Sequence, residues 1–216
     1  MFNNIIFDFD GTLVDSGPGI VKSFKRVMKE LGSKQIDDED IIKLIGTPLA
    51  QIMSILLETD DQTLIDKGSD LFRKYYQNNG LYDSIIYPGV KEMLESLKEQ
   101  SCQLFVVSNK IEEFMISILR QHDIMKYFTD IVGSDGKDLY SKKADYLKSI
   151  LNNFKLDRGK TTIVGDTESD IIAGKANSIY CIGVKWGYGR KEDLIRAKAD
   201  KIINHPRELA RLWSKN

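Results

Sequence analysis

The sequence predicts an α/β chain, a doubly wound parallel sheet interrupted once by an inserted all-helical domain. Three observations predict it. Short, continuous apolar runs rich in β-branched residues recur along the 216 residues, as they do in parallel strands covered on both faces. Amphipathic stretches with helical spacing lie between most of these runs, and alternation of strand and helix builds parallel sheets. The region from Gly17 to about Ser84 breaks the alternation, with helical spacing almost throughout and no clear strand.

The first strand, Ile5 to Phe9, runs directly into Asp10-Gly11-Thr12-Leu13-Val14-Asp15. Residues two apart on a strand share a side, so Asp8 and Asp10 can aim at a common point where the strand ends. Gly11 lets the backbone turn there. Two carboxylates held close repel each other unless a cation lies between them, so the junction implies a bound metal or a perturbed pKa. Asp-Gly alone is also ordinary turn chemistry, and the rest of the chain decides between the readings.

In the helical interruption, Ile20, Phe24, Val27, Met28 and Leu31 share one face, followed by Ile52, Met53 and Leu56 and then by Leu64, Leu71, Phe72 and Tyr75. Gly17-Pro18-Gly19 marks its start, and Asn78-Asn79-Gly80 through Pro88-Gly89 its return. The chain thus divides into a core of residues 1–16 and 85–216 and a helical domain of residues 17–84. Lys22, Lys25, Arg26 and Lys29 lie roughly along one helical face and read as a solvated surface. After the return, Val90, Met93, Leu94 and Leu97 form the buried face of a helix, and Leu104 to Ser108 the next strand. A weaker strand covers Ile131 and Val132, and Ala144, Leu147, Ile150, Leu151 and Phe154 share a helical face. Strands at Thr161 to Val164 and Tyr180 to Val184, and a weaker one at Lys201 to Ile203, complete the pattern.

Composition narrows the function. The net charge is −1, the 29% of charged residues are balanced in sign and no long basic block occurs, so nucleic acid and anionic membranes are not expected partners. No apolar run is long enough to span a bilayer and the first residues lack the basic flank of a signal peptide, so a cytoplasmic location is expected. Cys102 and Cys181 adjoin apolar strands and read as buried, reduced thiols. His122 and His205, the only histidines, stand apart from the carboxylate motifs, which leaves neither a Ser-His-Asp arrangement nor a His-rich metal site.

Three further segments place polar residues at strand ends or helix starts: Ser108-Asn109-Lys110, Ser141-Lys142-Lys143-Ala144-Asp145, and Gly165-Asp166-Thr167-Glu168-Ser169-Asp170. Each alone is ordinary capping chemistry. All fit a site at the carboxyl edge of a parallel sheet, where open α/β folds bind ligands. Together with Asp8 and Asp10, in this order and spacing, they closely resemble the haloacid dehalogenase superfamily of phosphotransferases. Tyr87-Pro88-Gly89-Val90, Val184-Lys185-Trp186-Gly187-Tyr188-Gly189 and the helical domain extend the resemblance to the phosphoglycolate phosphatase-like subfamily over essentially the whole chain.

The resemblance implies a haloacid dehalogenase-like Rossmannoid core with the first strand central, flanked by those ending at Ser108 and Val164. It also implies a mechanism. Asp8 would form an aspartyl-phosphate with a small phosphorylated metabolite, and Asp10 would act as acid and then base. Mg2+ would be held by Asp8, the backbone carbonyl of Asp10 and Asp166, with Asp170 orienting that shell. Ser108 would bind a phosphoryl oxygen and Lys143 would pair with Asp8 and the phosphate, Lys142 being its rival for the role. Asn109 and Gly11 would add backbone donors. Gly46-Thr47-Pro48-Leu49 matches the subfamily loop that dips toward the core, which makes Gly46 and Thr47 candidates for substrate contact; a helix-linking turn is the alternative. The helical domain would close over the site on hinges near Asp15 to Gly17 and Ser84 to Tyr87.

Two other functions compete. A sugar phosphomutase of the same architecture usually carries a His and a Trp early in the first cap helix, and Gly19 to Leu31 has neither. A non-catalytic binding module would be favoured by a missing motif acid, yet Asp8, Asp10, Asp166 and Asp170 are all present. The assembly is expected to be a monomer or a homodimer, and the ester itself is not legible: phosphoglycolate, nucleotides and sugar phosphates all remain open.

Overall fold

A computed structural model describes residues 2–136 and 143–213. Six parallel strands form the central sheet: β1 (Asn4–Phe7), β4 (Gln103–Ile111), β5 (Asp130–Ser134), β6 (Thr161–Gly165), β7 (Tyr180–Val184) and β8 (Lys201–Ile203), in the spatial order β5-β4-β1-β6-β7-β8. β1 is central, with Phe7 in register with Val106 on one side and Val164 on the other. Both expectations about the sheet hold, including the two strands with weak signals.

The sheet is covered on both faces, and its residues alternate between two cores. Ile5, Phe7, Leu104, Val106, Val164 and Ile182 enter one, packed with α5 (Val90–Glu99) and α6 (Glu112–Gln121). Ile6, Phe105, Val107, Ile163 and Cys181 enter the other, against α7 (Lys143–Asn153), α8 (Glu168–Ala176) and α9 (Lys191–Arg196). This period-two division is what runs of consecutive apolar residues demand of a doubly wound sheet. A last helix, α10 (Pro206–Trp213), packs beside α5, with Leu209 fully buried. The face expected on α5 is fully buried. Of the face expected on α7, only Leu147, Ile150 and Leu151 are buried: Phe154 lies past the last helical residue, with its ring 5.0 Å from that of Phe105, and is 39% exposed.

Between β1 and α5 the chain leaves the sheet through β2 (Val14–Asp15), forms α1 (Gly17–Glu30), α2 (Asp38–Ile42), α3 (Leu49–Leu57) and α4 (Gln62–Asn78), and returns through β3 (Ile85–Ile86). The outgoing and returning segments pair antiparallel, Val14 with Ile86 and Asp15 with Ile85. This short ladder has no signature in the sequence, being too brief for alternation to register. Phe24 stacks on Phe72 at 4.2 Å, Phe72 on Tyr76 at 5.5 Å, and Tyr76 meets Phe114 of α6 at 5.6 Å, so an aromatic row carries the helices onto the sheet domain. Lys22, Lys25, Arg26 and Lys29 are exposed as expected, with Lys22 and Lys25 paired to Asp83 and Asp38. Cys102 and Cys181 are buried free thiols. His122 lies 3.1 Å from the Ser84 carbonyl and His205 beside Gly89, both away from the carboxylates. Among the described residues no helix is long and apolar enough to cross a membrane.

Candidate active site

The carboxyl ends of β4, β1 and β6 converge because the register sets them level. Asp8 follows Phe7 directly, and Ser108 and Asp166 lie two residues beyond its partners Val106 and Val164. β1 is shorter than expected: it stops at Phe7, and Asp8 through Asp10 form the start of the turn, with the Asp8 amide still donating to the Val164 carbonyl at 2.9 Å. Gly11 takes a left-handed φ of 82°, and a Cβ there would fall 2.3 Å from Asp166 Oδ2. Only glycine permits that approach.

Asp8, Asp166 and Asp170 offer carboxylate oxygens within 4.8 Å of one another, and all three side chains are buried. Lys143, 3% exposed, is the cation in contact with them, 2.8 Å from Asp8 Oδ1 and 2.6 Å from Asp170 Oδ1. Its first-turn position on α7 opposes the helix dipole, and the paired carboxylates outweigh that cost. Lys142 lies outside the described residues. Asp170 is also the third residue of α8, where its Oδ2 accepts from the Thr167 amide at 3.0 Å and hydroxyl at 2.8 Å. Asp166 accepts from the Thr12 hydroxyl at 3.0 Å and the Tyr188 amide at 2.8 Å.

Among the described residues, three carboxylates against one ammonium leave an excess of negative charge in a buried site. Burial raises the pKa of Asp8, and repulsion from Asp170 adds to it despite Lys143. Asp166 is raised in the same way, by burial and then by Asp170. Burial by itself would lower Lys143, but Asp170 and Asp8 outweigh it and push its pKa up. Asp8 Oδ1 faces the Lys143 ammonium at 2.8 Å and has no other hydrogen-bond partner among the described residues. Hard oxygen ligands and surplus charge fit a divalent cation such as Mg2+.

The Asp10 side chain stands outside this group. Its two oxygens lie 3.0 and 3.2 Å from the Lys110 ammonium, and the Ser16 hydroxyl donates to Oδ1. The two acids therefore do not point at one spot, as an unbroken strand would require. Lys110 in turn donates to the Tyr76 hydroxyl at 2.7 Å and lies over the Tyr76 ring at 4.4 Å. It joins the core acid to α4. The sequence reading assigns Lys110 no role, and its placement follows from an irregularity in β4: five residues, Val107 to Ile111, oppose only three, Val132 to Ser134, on β5. Such bulges re-aim side chains at sheet edges.

Asn109 reaches across to the helical segment, donating from Nδ2 to the Gly46 carbonyl at 2.9 Å, and Gly46 holds a left-handed φ of 95°. The loop expected to dip toward the core does so. It separates two depressions. One, of about 100 Å3, is lined by Asp10, Ser108 and Lys110 together with Phe24, Phe72 and Tyr76. The other, an open cleft of about 520 Å3, lies between that loop and the segments around Thr167, Tyr188 and Arg190. Gly46, Thr47 and Asn109 border both. Tyr188, quoted in the resemblance without a role, donates to Asp15 Oδ1 at 2.7 Å and accepts from the Gly17 amide at 2.7 Å, so the loop after β7 ties Asp166 to the start of the helical segment.

Comparison with known proteins agrees with this geometry. Residues 5–184 match the haloacid dehalogenase-like hydrolase family. A phosphoglycolate phosphatase of Vibrio parahaemolyticus is 31% identical over 213 residues, covering 95% of this chain and 93% of that protein. A 5'-nucleotidase of Pseudomonas aeruginosa is 29% identical over 196 residues, 89% of this chain and 87% of its own. The crystal structure of a predicted phosphatase from Clostridium acetobutylicum superposes with a TM-score of 0.91 at 32% identity, covering 98% of each chain.

Proposed function

This chain belongs to the haloacid dehalogenase-like hydrolase family, and on that premise we propose that it is a Mg2+-dependent phosphatase of small phosphorylated metabolites acting through Asp8. The observation that carries the reading is the surplus of charge at the sheet edge: among the described residues Asp8, Asp166 and Asp170, all buried, face one ammonium. Asp8, Asp166 and the backbone carbonyl of Asp10 would hold the cation. When bound, it would neutralise the charge that otherwise keeps a carboxylate from approaching a phosphate dianion. Asp170, with one oxygen on Lys143 and the other on Thr167, is placed to orient the site rather than to react.

The chain's residues then divide the work. Asp8 attacks phosphorus, the ester P–O bond breaks, and the leaving alkoxide takes a proton from Asp10. Water next attacks the aspartyl-phosphate, giving a proton to Asp10, and the bond to Asp8 breaks to release phosphate. This splits one very slow hydrolysis into two easier steps. Ser108 donates to a phosphoryl oxygen, Lys143 stabilises charge as it spreads in the transition state, and the amides of Gly11 and Asn109 add donors.

Residues 17–84 act as a cap that closes over the site about the β2–β3 pair, with Gly46 and Thr47 meeting the substrate. The ester is drawn from the phosphoglycolate, nucleotide and sugar phosphate range, and the enzyme works in the cytoplasm as a monomer or homodimer. Phosphate release from p-nitrophenyl phosphate and a panel of monoesters, with and without Mg2+, tests the reading. Turnover that requires Mg2+ and falls to background in Asp8→Asn, by roughly 10⁴-fold or more, is the expected result. A folded, Mg2+-loaded protein that releases no phosphate from any ester would refute it.

A further inference from the structure

The lysine between Asp10 and the helical domain is held on every side. Lys110 has its side chain 7% exposed, and its three N–H bonds reach both Asp10 oxygens, at 3.0 and 3.2 Å, and the Tyr76 hydroxyl at 2.7 Å. An ammonium has no fourth donor, so these three acceptors fix its place. Tyr76 is pinned in turn: it is 1% exposed, with its ring stacked on Phe72 and tilted against Phe114 of α6. Phe24 and Phe72 bring only carbon to the aromatic row, whereas Tyr76 ends in a polar handle that reaches the acid's partner.

On the phosphatase reading, attack and departure are roughly in line, so the leaving oxygen stands across phosphorus from Asp8. The group that protonates it must turn away from Asp8, and Asp10 does so, lining the adjoining cavity together with Ser108. The alcohol half of the ester therefore faces that cavity. As Asp10 gives its proton to the departing oxygen, negative charge grows on its carboxyl. Lys110 already stands against both oxygens where that charge appears, and a donor fixed beforehand stabilises it without rearranging. The ammonium keeps this place only while Tyr76 supplies its third acceptor, because a buried N–H left without one is costly. Tyr76 belongs to α4 and Lys110 to β4, so the contact forms only when the helices are seated on the sheet domain.

We propose that Tyr76 is a positioning residue for acid catalysis: by holding the Lys110 ammonium against Asp10, it makes protonation of the leaving oxygen depend on the helical domain being docked. The proposal rests on the phosphatase reading and adds the residue that governs its acid step.

The test exploits a difference between leaving groups. A p-nitrophenolate departs as a stable anion, whereas an alkoxide needs a proton, and kcat/KM reports only the steps up to that departure. With Mg2+, kcat/KM is compared for p-nitrophenyl phosphate and for the alkyl monoester, n-butyl phosphate among them, that the wild type turns over fastest. Tyr76→Phe removes one oxygen and keeps the ring stack; it should lower the alkyl ester about tenfold more than p-nitrophenyl phosphate. Lys110→Met should widen that gap further, and Lys110→Arg should restore part of it. Because Tyr76 acts through Lys110, the double variant Tyr76→Phe/Lys110→Met should lose no more than Lys110→Met alone. Looser docking of the helices by itself would lower both esters equally, which overturns the proposal, as does an additive loss in the double variant. Wild type that turns over p-nitrophenyl phosphate but no alkyl ester overturns it too, since the leaving oxygen then receives no proton for Tyr76 to govern. Failure of the wild type on p-nitrophenyl phosphate as well refutes the phosphatase reading and this inference with it.

Discussion

The carboxylate edge and the cavity beside it meet at Ser108 and Asp10 but are built in opposite ways. The edge draws Asp8, Lys143 and the Asp166–Asp170 pair from three short segments, with Asp8 and Asp166 set level by strand register, and all four side chains are ionisable and buried. The cavity draws its wall from α1, α3, α4, α6 and α7, the ends of β4 and β5 and the turns around Asp10, Gly46 and Gly136, and most of that wall is apolar. In the first region electrostatics fixes both residue type and place; in the second many side chains of similar volume would serve. Chemistry is therefore the constrained part of this molecule and ester choice the adjustable part.

The strongest attempt to break this contrast is Lys143→Met. Removing the ammonium that pairs with Asp8 and Asp170 should lower kcat/KM by roughly 10²–10³ for every ester alike, as steady-state kinetics would show. A change in the ranking of esters would mean that the two regions are not separable. Phe72→Leu probes the other side. Phe72 stacks between Phe24 and Tyr76, and its loss should raise KM about three- to tenfold for esters that fill the cavity while kcat stays within about twofold. A fall in kcat with KM unchanged would show the wall acting on the chemistry.

The remaining effect is one of stability. Burial and mutual repulsion raise the pKa values of Asp8 and Asp166 above those of the unfolded chain, so the metal-free fold keeps protons that the unfolded chain has released. That contribution is complete below about pH 4 and is lost as the pH climbs to about 8. Metal-free protein should melt on the order of 10 °C lower at pH 8 than at pH 5, and Mg2+ should remove much of the difference. Thermal melts in EDTA and in Mg2+ check this, and a Tm that rises with pH in EDTA would contradict it. Phe72→Leu should keep the same slope with pH.

What could be read in the sequence follows the same division. The strand ends were legible because a run such as Phe105-Val106-Val107 followed by Ser108-Asn109 carries its own punctuation, and because Asp166 and Asp170 sit at the start of a helix. The Lys110–Tyr76 contact was not, since it joins residues 34 apart in sequence through the packing of α4 on the sheet. Helical spacing marked Phe72 as part of an apolar face without saying that it faces a cavity.

The two-residue ladder of Val14–Asp15 with Ile85–Ile86 has a consequence for how such an enzyme diversifies. Because departure and return lie side by side, everything between them is a pendant whose removal leaves no gap in the six-stranded sheet. Chain ends held this close are where insertion and exchange of segments are best tolerated. A lineage can thus trade one set of helices for another through a single seam, acquiring a new clientele of esters while the inherited reaction stays as it was.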